Sequence, residues 1–137
     1  MEKYTRAYEK FKKAFAKFRE VIENPALPEI FKEDFIVEIT TKRFEYTYES
    51  LWKAVKEFLR LRGIECNSSK SCFRAIIKEA IIPENLEQIL FEMILLRNSL
   101  VHIYDETQAK SIYERIKDKK IIEAFSIILN SLEKEIP

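Results

Sequence analysis

The stretch EDFIVEITTKRFEYTYESLWKAVKEFLRLRG, residues 33–63, decides the fold. Its apolar residues recur at the three- and four-residue spacing of one helix face, and Gly63 stands where a helix is commonly capped. A helix from about residue 31 or 33 to Arg62 would span roughly 45 Å, which is long for a chain of 137 residues. The predicted apolar face comprises Val37, Phe44, Tyr48, Leu51, Val55 and Phe58, with Ile39, Trp52 and Leu59 beside it.

Gly63 is also the only glycine in the chain, which excludes glycine-rich phosphate loops and Asn-Gly hairpins. The remaining sequence is rich in helix-forming residues and repeats the same spacing. We therefore predict an all-α bundle of five or six helices with short connections, in a single domain covering residues 1–137. The other helices are expected at about 2–24, 69–81, 83–100, 106–117 and 121–136, and the first buries Tyr4, Tyr8, Phe11, Phe15, Phe18 and Ile22.

Charge and cysteine content narrow the functional classes. The formal net charge is +1, so no global electrostatic attraction to nucleic acid or membrane is expected. We see no apolar signal segment in the first residues and no apolar run that could cross a bilayer, so a cytoplasmic location is expected. Cys66 and Cys72 lack a zinc-binding spacing and are predicted to be reduced thiols. No metal and no cofactor are expected.

An arginine occupies a core position near the end of the predicted fourth helix. Leu86, Leu90, Met93, position 97 and Leu100 follow one another at spacings of four, three, four and three, and position 97 is Arg97. Because burying an unpaired guanidinium is costly, this side chain must reach water, pair with a carboxylate, or line a cavity or interface. The candidate partners are Glu45, Glu49 and Glu92.

The only histidine of the chain follows in the same stretch, LRNSLVHIYDE. Asn98 and His102 share a helix face, whereas Arg97 and His102 are about 140° apart on a straight helix. They could meet if the helix ends between them, or across the two-fold axis of a dimer. Histidine moves protons near neutral pH and arginine binds phosphate, so metal-free RNA cleavage is one interpretation. The other interpretation is purely structural: the stretch is a helix end with satisfied polar contacts, in which Asp105 is a helix cap and Tyr104 packs against the bundle.

Two stretches in order resemble a known family. RNSLVH, residues 97–102, fits the Arg-x4-6-His signature of the HEPN superfamily (higher eukaryotes and prokaryotes nucleotide-binding), with Asn98 as the typical polar residue after the arginine. Residues 42–64 resemble the long helix of the nucleotidyltransferase substrate-binding family, and SCFRAIIKEA, residues 71–80, resembles its next helix. The resemblance implies a dimeric up-and-down bundle of four or five helices and a minimal nucleotidyltransferase as partner.

The resemblance also implies two alternative functions. In one, the chain is a metal-independent RNase toxin in which Arg97, Asn98 and His102 are catalytic, and the nucleotidyltransferase neutralises it by adding AMP to Tyr104. Lys42 and Arg43 would then supply positive charge for phosphate or RNA, unless they are an ordinary solvated helix face. In the other, the chain is a non-catalytic substrate-binding subunit of a two-component nucleotidyltransferase.

Overall fold

The computed structural model describes residues 1–102 and 105–136 and is built from helices. No strand occurs in these two ranges, so the all-α prediction is confirmed. A 3₁₀ turn, Glu84–Leu86, precedes the fifth helix. The helices are α1 (Glu2–Glu23), α2 (Leu27–Ile30), α3 (Glu33–Leu61), α4 (Ser69–Lys78), α5 (Glu87–Leu100), α6 (Glu106–Ile116) and α7 (Lys119–Glu133).

The two longest helices, α1 and α3, pack antiparallel and form the centre of the bundle. Thr47 donates a hydrogen bond to the carbonyl of Ala14, and the ring of Phe58 lies 5.6 Å from that of Tyr4. Helix α7 packs against both of these helices, because Phe125 contacts a cluster of aromatic rings of α1 and of α3. The phenylalanines of this cluster are Phe11, Phe15, Phe18, Phe44 and Phe125, all buried.

Two helix ends are closed by the same backbone motif. Gly63 has φ +76° and donates to the carbonyl of Arg60, while Ile64 donates to that of Leu59. This Schellman motif confirms Gly63 as the predicted cap. Ala80 repeats the motif after α4 with φ +57°, which ends that helix at Lys78 rather than at the predicted Ile81.

Helix starts are set by short polar side chains. Ser68 caps α4, because its hydroxyl oxygen accepts a hydrogen bond from the backbone N–H of Ser71. Asp105 caps α6 by accepting from the backbone N–H of Gln108 at 2.7 Å, as predicted. The single-turn α2 lies where a loop was predicted, because Pro28 suits a first helical turn.

The prediction of two reduced thiols is wrong. Cys66 and Cys72 form a disulfide, with their Cα atoms 5.2 Å apart and both residues buried. The prediction rested on the expected compartment, whereas the turn after Gly63 brings the two residues within disulfide range. The disulfide thus links the turn after α3 to the first turn of α4.

The first half of α3 also differs from the predicted apolar face. Ile36 and Thr40 are buried there, whereas Ile39 is exposed and Val37 is half-buried. Thr40 is tolerated in the core because its hydroxyl donates to the carbonyl of Ile36 at 2.6 Å. Across the described residues, no helix has both the length and the apolar character needed to cross a membrane.

Candidate functional site

The end of α5 brings the predicted site residues to the surface. The helix ends at Leu100, between Arg97 and His102. Two hydrogen bonds of the 3₁₀ type follow its last turn. Val101 N–H donates to the Asn98 carbonyl at 3.3 Å, and His102 N–H donates to the Ser99 carbonyl at 3.1 Å. The first of the two conditions for Arg97 and His102 to approach each other, a helix end between them, is therefore met.

Arg97 pairs with an acidic residue of α3. Its Nη2 lies 3.3 Å from Oε1 of Glu49, and the two side chains are 37% and 34% exposed. The other oxygen of Glu49 accepts a hydrogen bond from Nε1 of Trp52 at 3.1 Å. Arg97 therefore both pairs and reaches solvent, and Glu49 holds its guanidinium near the surface of the bundle.

The geometry explains why Glu49, and not Glu92, is the partner of Arg97. Glu92 makes an ion pair with Arg115 of α6, which also lies 3.5 Å from Asp118. Because Glu49 contacts one nitrogen of a group with five N–H donors, donors remain for a second anionic group such as phosphate. An exposed pair of this kind contributes at most about 1 kcal/mol to stability. Its effect is orientation.

The electrostatics around Arg97 extend to a buried tyrosine of α3. Burial raises the pKa of Tyr48, while its hydrogen bond to Ser69 and the positive charge of Arg97 act in the opposite direction. The neutral tyrosine donates to Ser69 Oγ at 2.5 Å and so joins α3 to α4. Two hydrogen bonds thus stabilise α3 on either side of the Arg97 partner: Trp52 donates to Glu49, and Tyr48 donates to Ser69.

The outer side of α5 combines polar site residues with exposed apolar ones. Asn98 and His102 are exposed, and Leu95 and Val101 are 66% and 62% exposed. The predicted modification site, Tyr104, lies outside the described residues. The imidazole of His102 is therefore accessible, and two exposed apolar side chains lie on the same end of α5.

Lys42 and Arg43 have different environments. Lys42 is exposed, and its ammonium lies 5.8 Å from the centre of the Tyr46 ring. Arg43 donates to the carbonyl of Lys17 at 2.7 Å and lies 3.9 Å from Glu20, so it ties α3 to α1. Glu49 follows Arg43 by six positions, which places the two residues about 120° apart around α3. Arg43 is therefore not brought to the Arg97 side of the helix.

A basic groove between α1 and α3 was not predicted from the sequence. It encloses about 510 Å³ and reaches Glu49, the partner of Arg97. Two carboxylates and two aromatic side chains, Tyr46 and Trp52, also line it. The lysines of α1 were visible in the sequence, but their convergence with α3 depends on how the two helices pack. The cations of this α1–α3 groove are Lys3, Arg6, Lys10, Lys53 and Lys56.

Among residues 1–102 and 105–136, no group of three or more His, Cys, Asp or Glu side chains lies close enough together to hold a metal ion. Arg97, Asn98 and His102 can instead bind an anion and transfer a proton, which are functions of the side chains themselves.

Comparison with known proteins defines the class of the bundle. The fold matches a mutant of the toxin–antitoxin pair MntA-HpeT with a TM-score of 0.78 at 15% identity, covering 98% of this chain and 99% of that chain. It also matches a rebuilt structure of the tri-AMPylated Shewanella oneidensis HEPN toxin in complex with MNT antitoxin, with a TM-score of 0.77 at 16% identity and 98% of each chain covered. The helical bundle is therefore of the kind found in HEPN proteins.

The family follows from the sequence itself. The model of the family described as "nucleotidyltransferase substrate binding protein like" matches residues 4–134, so the chain belongs to this family, as the sequence resemblance predicted. A Thermus thermophilus protein of known crystal structure is 25% identical, with a TM-score of 0.76 over 89% of this chain and 98% of that chain. No match was found among curated protein sequences.

Proposed function

We propose that this protein is the HEPN partner of a minimal nucleotidyltransferase and acts as a metal-independent RNase toxin. The observation that carries the proposal is the end of α5 between Arg97 and His102, which leaves an exposed imidazole close in sequence to a guanidinium oriented by Glu49. The structural likeness to chains of two solved toxin–antitoxin complexes supports the same assignment.

In the proposed reaction the 2′-hydroxyl of RNA attacks the adjacent phosphorus. The 2′-hydroxyl gives its proton to the imidazole of His102, the new O–P bond forms, and the bond from phosphorus to the 5′-oxygen breaks. The leaving oxygen takes a proton from the imidazolium, so the products are a 2′,3′-cyclic phosphate and a 5′-hydroxyl. Arg97 stabilises the charge that develops on the phosphate, and Asn98 orients it.

The active form is proposed to be a homodimer that meets through α5. Leu95 and Val101 supply exposed apolar area beside His102, and a two-fold axis there would place two copies of the site together. Lys42 remains a candidate phosphate contact because its ammonium is exposed, and Arg43 is a weaker one because α1 already engages its guanidinium. Tyr104 is the proposed site at which the nucleotidyltransferase adds AMP.

A second function is favoured by one finding. The matching family is described by substrate binding. The protein would then be the substrate-binding subunit of a two-component nucleotidyltransferase, without nuclease activity of its own.

The two functions are separated by an RNA cleavage assay and an adenylylation assay. The toxin function predicts cleavage with EDTA present, lost in His102→Ala and in the protein treated with its nucleotidyltransferase and ATP. Tyr104→Phe should keep cleavage and resist that treatment. If the dimeric native protein cuts none of a wide set of RNAs, the substrate-binding function is the correct one.

A further inference from the structure

We propose that the α1–α3 groove binds single-stranded RNA and guides it toward Arg97. The inference rests on the proposed function, because it names the path by which RNA would reach that site. It is carried by the concentration of positive charge and aromatic rings in one groove of a chain whose net charge is only +1.

The first argument is local charge. Five cations and two carboxylates line the groove, and one of the cations, Arg6, is paired with Glu2 of the same helix. Both carboxylates have cationic partners: Glu49 lies 3.3 Å from Arg97, and Glu57 lies 3.9 Å from Arg60. Among the described residues, no acidic side chain lies within 4 Å of the ammonium groups of the groove lysines, which leaves these ammoniums for an external anion. A polyanion is the ligand that such a surface attracts most strongly.

The second argument is the presence of exposed aromatic rings among the cations. Tyr46 is 60% exposed, and Trp52 is half-buried with the Lys56 ammonium 5.9 Å from its ring centre. Unpaired bases stack on such rings while lysines contact the backbone phosphates. A duplex hides its bases, so this combination favours a single strand.

The third argument is continuity with the proposed active site. Glu49 lines the groove and its Oε1 is the group that holds Arg97. A strand lying along the groove would therefore pass over α3 and present a phosphate at the guanidinium.

The test uses the complete protein in a His102→Ala background, in which the proposed base is absent and RNA remains intact. Binding of a short fluorescent single-stranded RNA is measured for this protein and for a variant that also carries Lys3→Gln, Lys10→Gln and Lys53→Gln. The matched control carries Lys12→Gln, Lys119→Gln and Lys120→Gln, which remove the same charge at exposed positions outside the groove. Circular dichroism and thermal unfolding verify that both variants fold.

The groove variant should bind at least tenfold more weakly than the control variant. For binding to a single strand, each lost phosphate contact lowers the slope of log affinity against log salt concentration by about 0.7. The groove variant, which lacks three lysines, should therefore have a slope that is smaller in magnitude by about 2. Tyr46→Ala should weaken binding about fivefold or more, Tyr46→Phe should not, and the duplex form of the RNA should bind more weakly than the single strand.

The outcomes separate this inference from the proposed function. Groove-dependent binding without cleavage by the native protein would retain the RNA groove and reject the nuclease. Cleavage by the native protein with equal binding by the groove and control variants would reject the groove alone. Loss of binding to the nucleotidyltransferase, with RNA binding unchanged, would assign the groove to a protein partner and would also reject the inference.

Discussion

Exchanging glycine and alanine at the two Schellman motifs should change stability in opposite directions. Gly63 and Ala80 both follow a helix in the left-handed region, with φ +76° and +57°. A Cβ in that region costs roughly 1–2 kcal/mol, and the greater freedom of glycine in the unfolded chain offsets about half of it. A Cβ added at Gly63 would meet no atom within 4 Å, so only the backbone cost applies there.

Gly63→Ala should therefore lower the free energy of unfolding by about 1 kcal/mol, and Ala80→Gly should raise it by about the same amount. For a chain of this length a change of about 1 kcal/mol corresponds to a change in Tm of roughly 3 °C. Urea unfolding and thermal melts of the two single variants and the double variant measure these changes. The double variant should match the native protein, because the motifs close different helices. Destabilisation by Ala80→Gly would refute the reasoning from the backbone.

Three further predictions concern the disulfide, the site and the proposed dimer. Replacing Cys66 and Cys72 by alanine should lower the free energy of unfolding by about 2 kcal/mol, as expected for a short disulfide-closed loop. The reduced native protein should unfold at the same urea concentration as this variant. If the oxidised native protein were no more stable than the variant, this prediction would be contradicted. Glu49→Gln should lower kcat for RNA roughly tenfold, because it releases Arg97 from its orientation. It should not raise KM, because it also removes a negative charge near the phosphate. Glu45→Gln should leave kcat unchanged, and a raised KM with normal kcat in Glu49→Gln would argue against an orienting role. Leu95→Lys should convert a dimer into monomers by analytical ultracentrifugation, while Leu61→Lys, an exposed position on α3, should not; a dimeric Leu95→Lys protein would place the interface elsewhere.

Helix periodicity predicted the first helix well because its buried positions are set by a single face. Tyr4, Tyr8, Phe11, Phe15 and Phe18 are all buried, as their spacing indicated. Only the last position differs, because Val21 is buried and the predicted Ile22 is half-buried. The first half of α3 was predicted less well, because the spacing of its apolar residues does not show which side of the helix its neighbours cover. Thr40 is buried there with its hydroxyl donating to the carbonyl of Ile36, whereas Ile39, which was predicted to lie beside the apolar face, is exposed.

The sequence located the candidate site but could not choose the partner of its arginine. Glu45, Glu49 and Glu92 were equally placed, and the choice depends on how α5 crosses α3 and on the capture of Glu92 by Arg115. The α1–α3 groove was missed for the same reason, since its charges come from two helices whose relative register is fixed by packing. Such features require the tertiary structure, whereas a cap such as Asp105 can be read from neighbouring residues.

The most direct test of the central claim is RNA cleavage by the purified, unmodified protein with EDTA present, compared with His102→Ala and Arg97→Ala. The proposed function predicts cleavage products that end in a 2′,3′-cyclic phosphate for the native protein, and a loss of at least about a hundredfold in rate for each variant, in line with removal of a proton-transfer or charge-stabilising group. Undiminished cleavage by His102→Ala, or no cleavage by a folded native dimer, would contradict it.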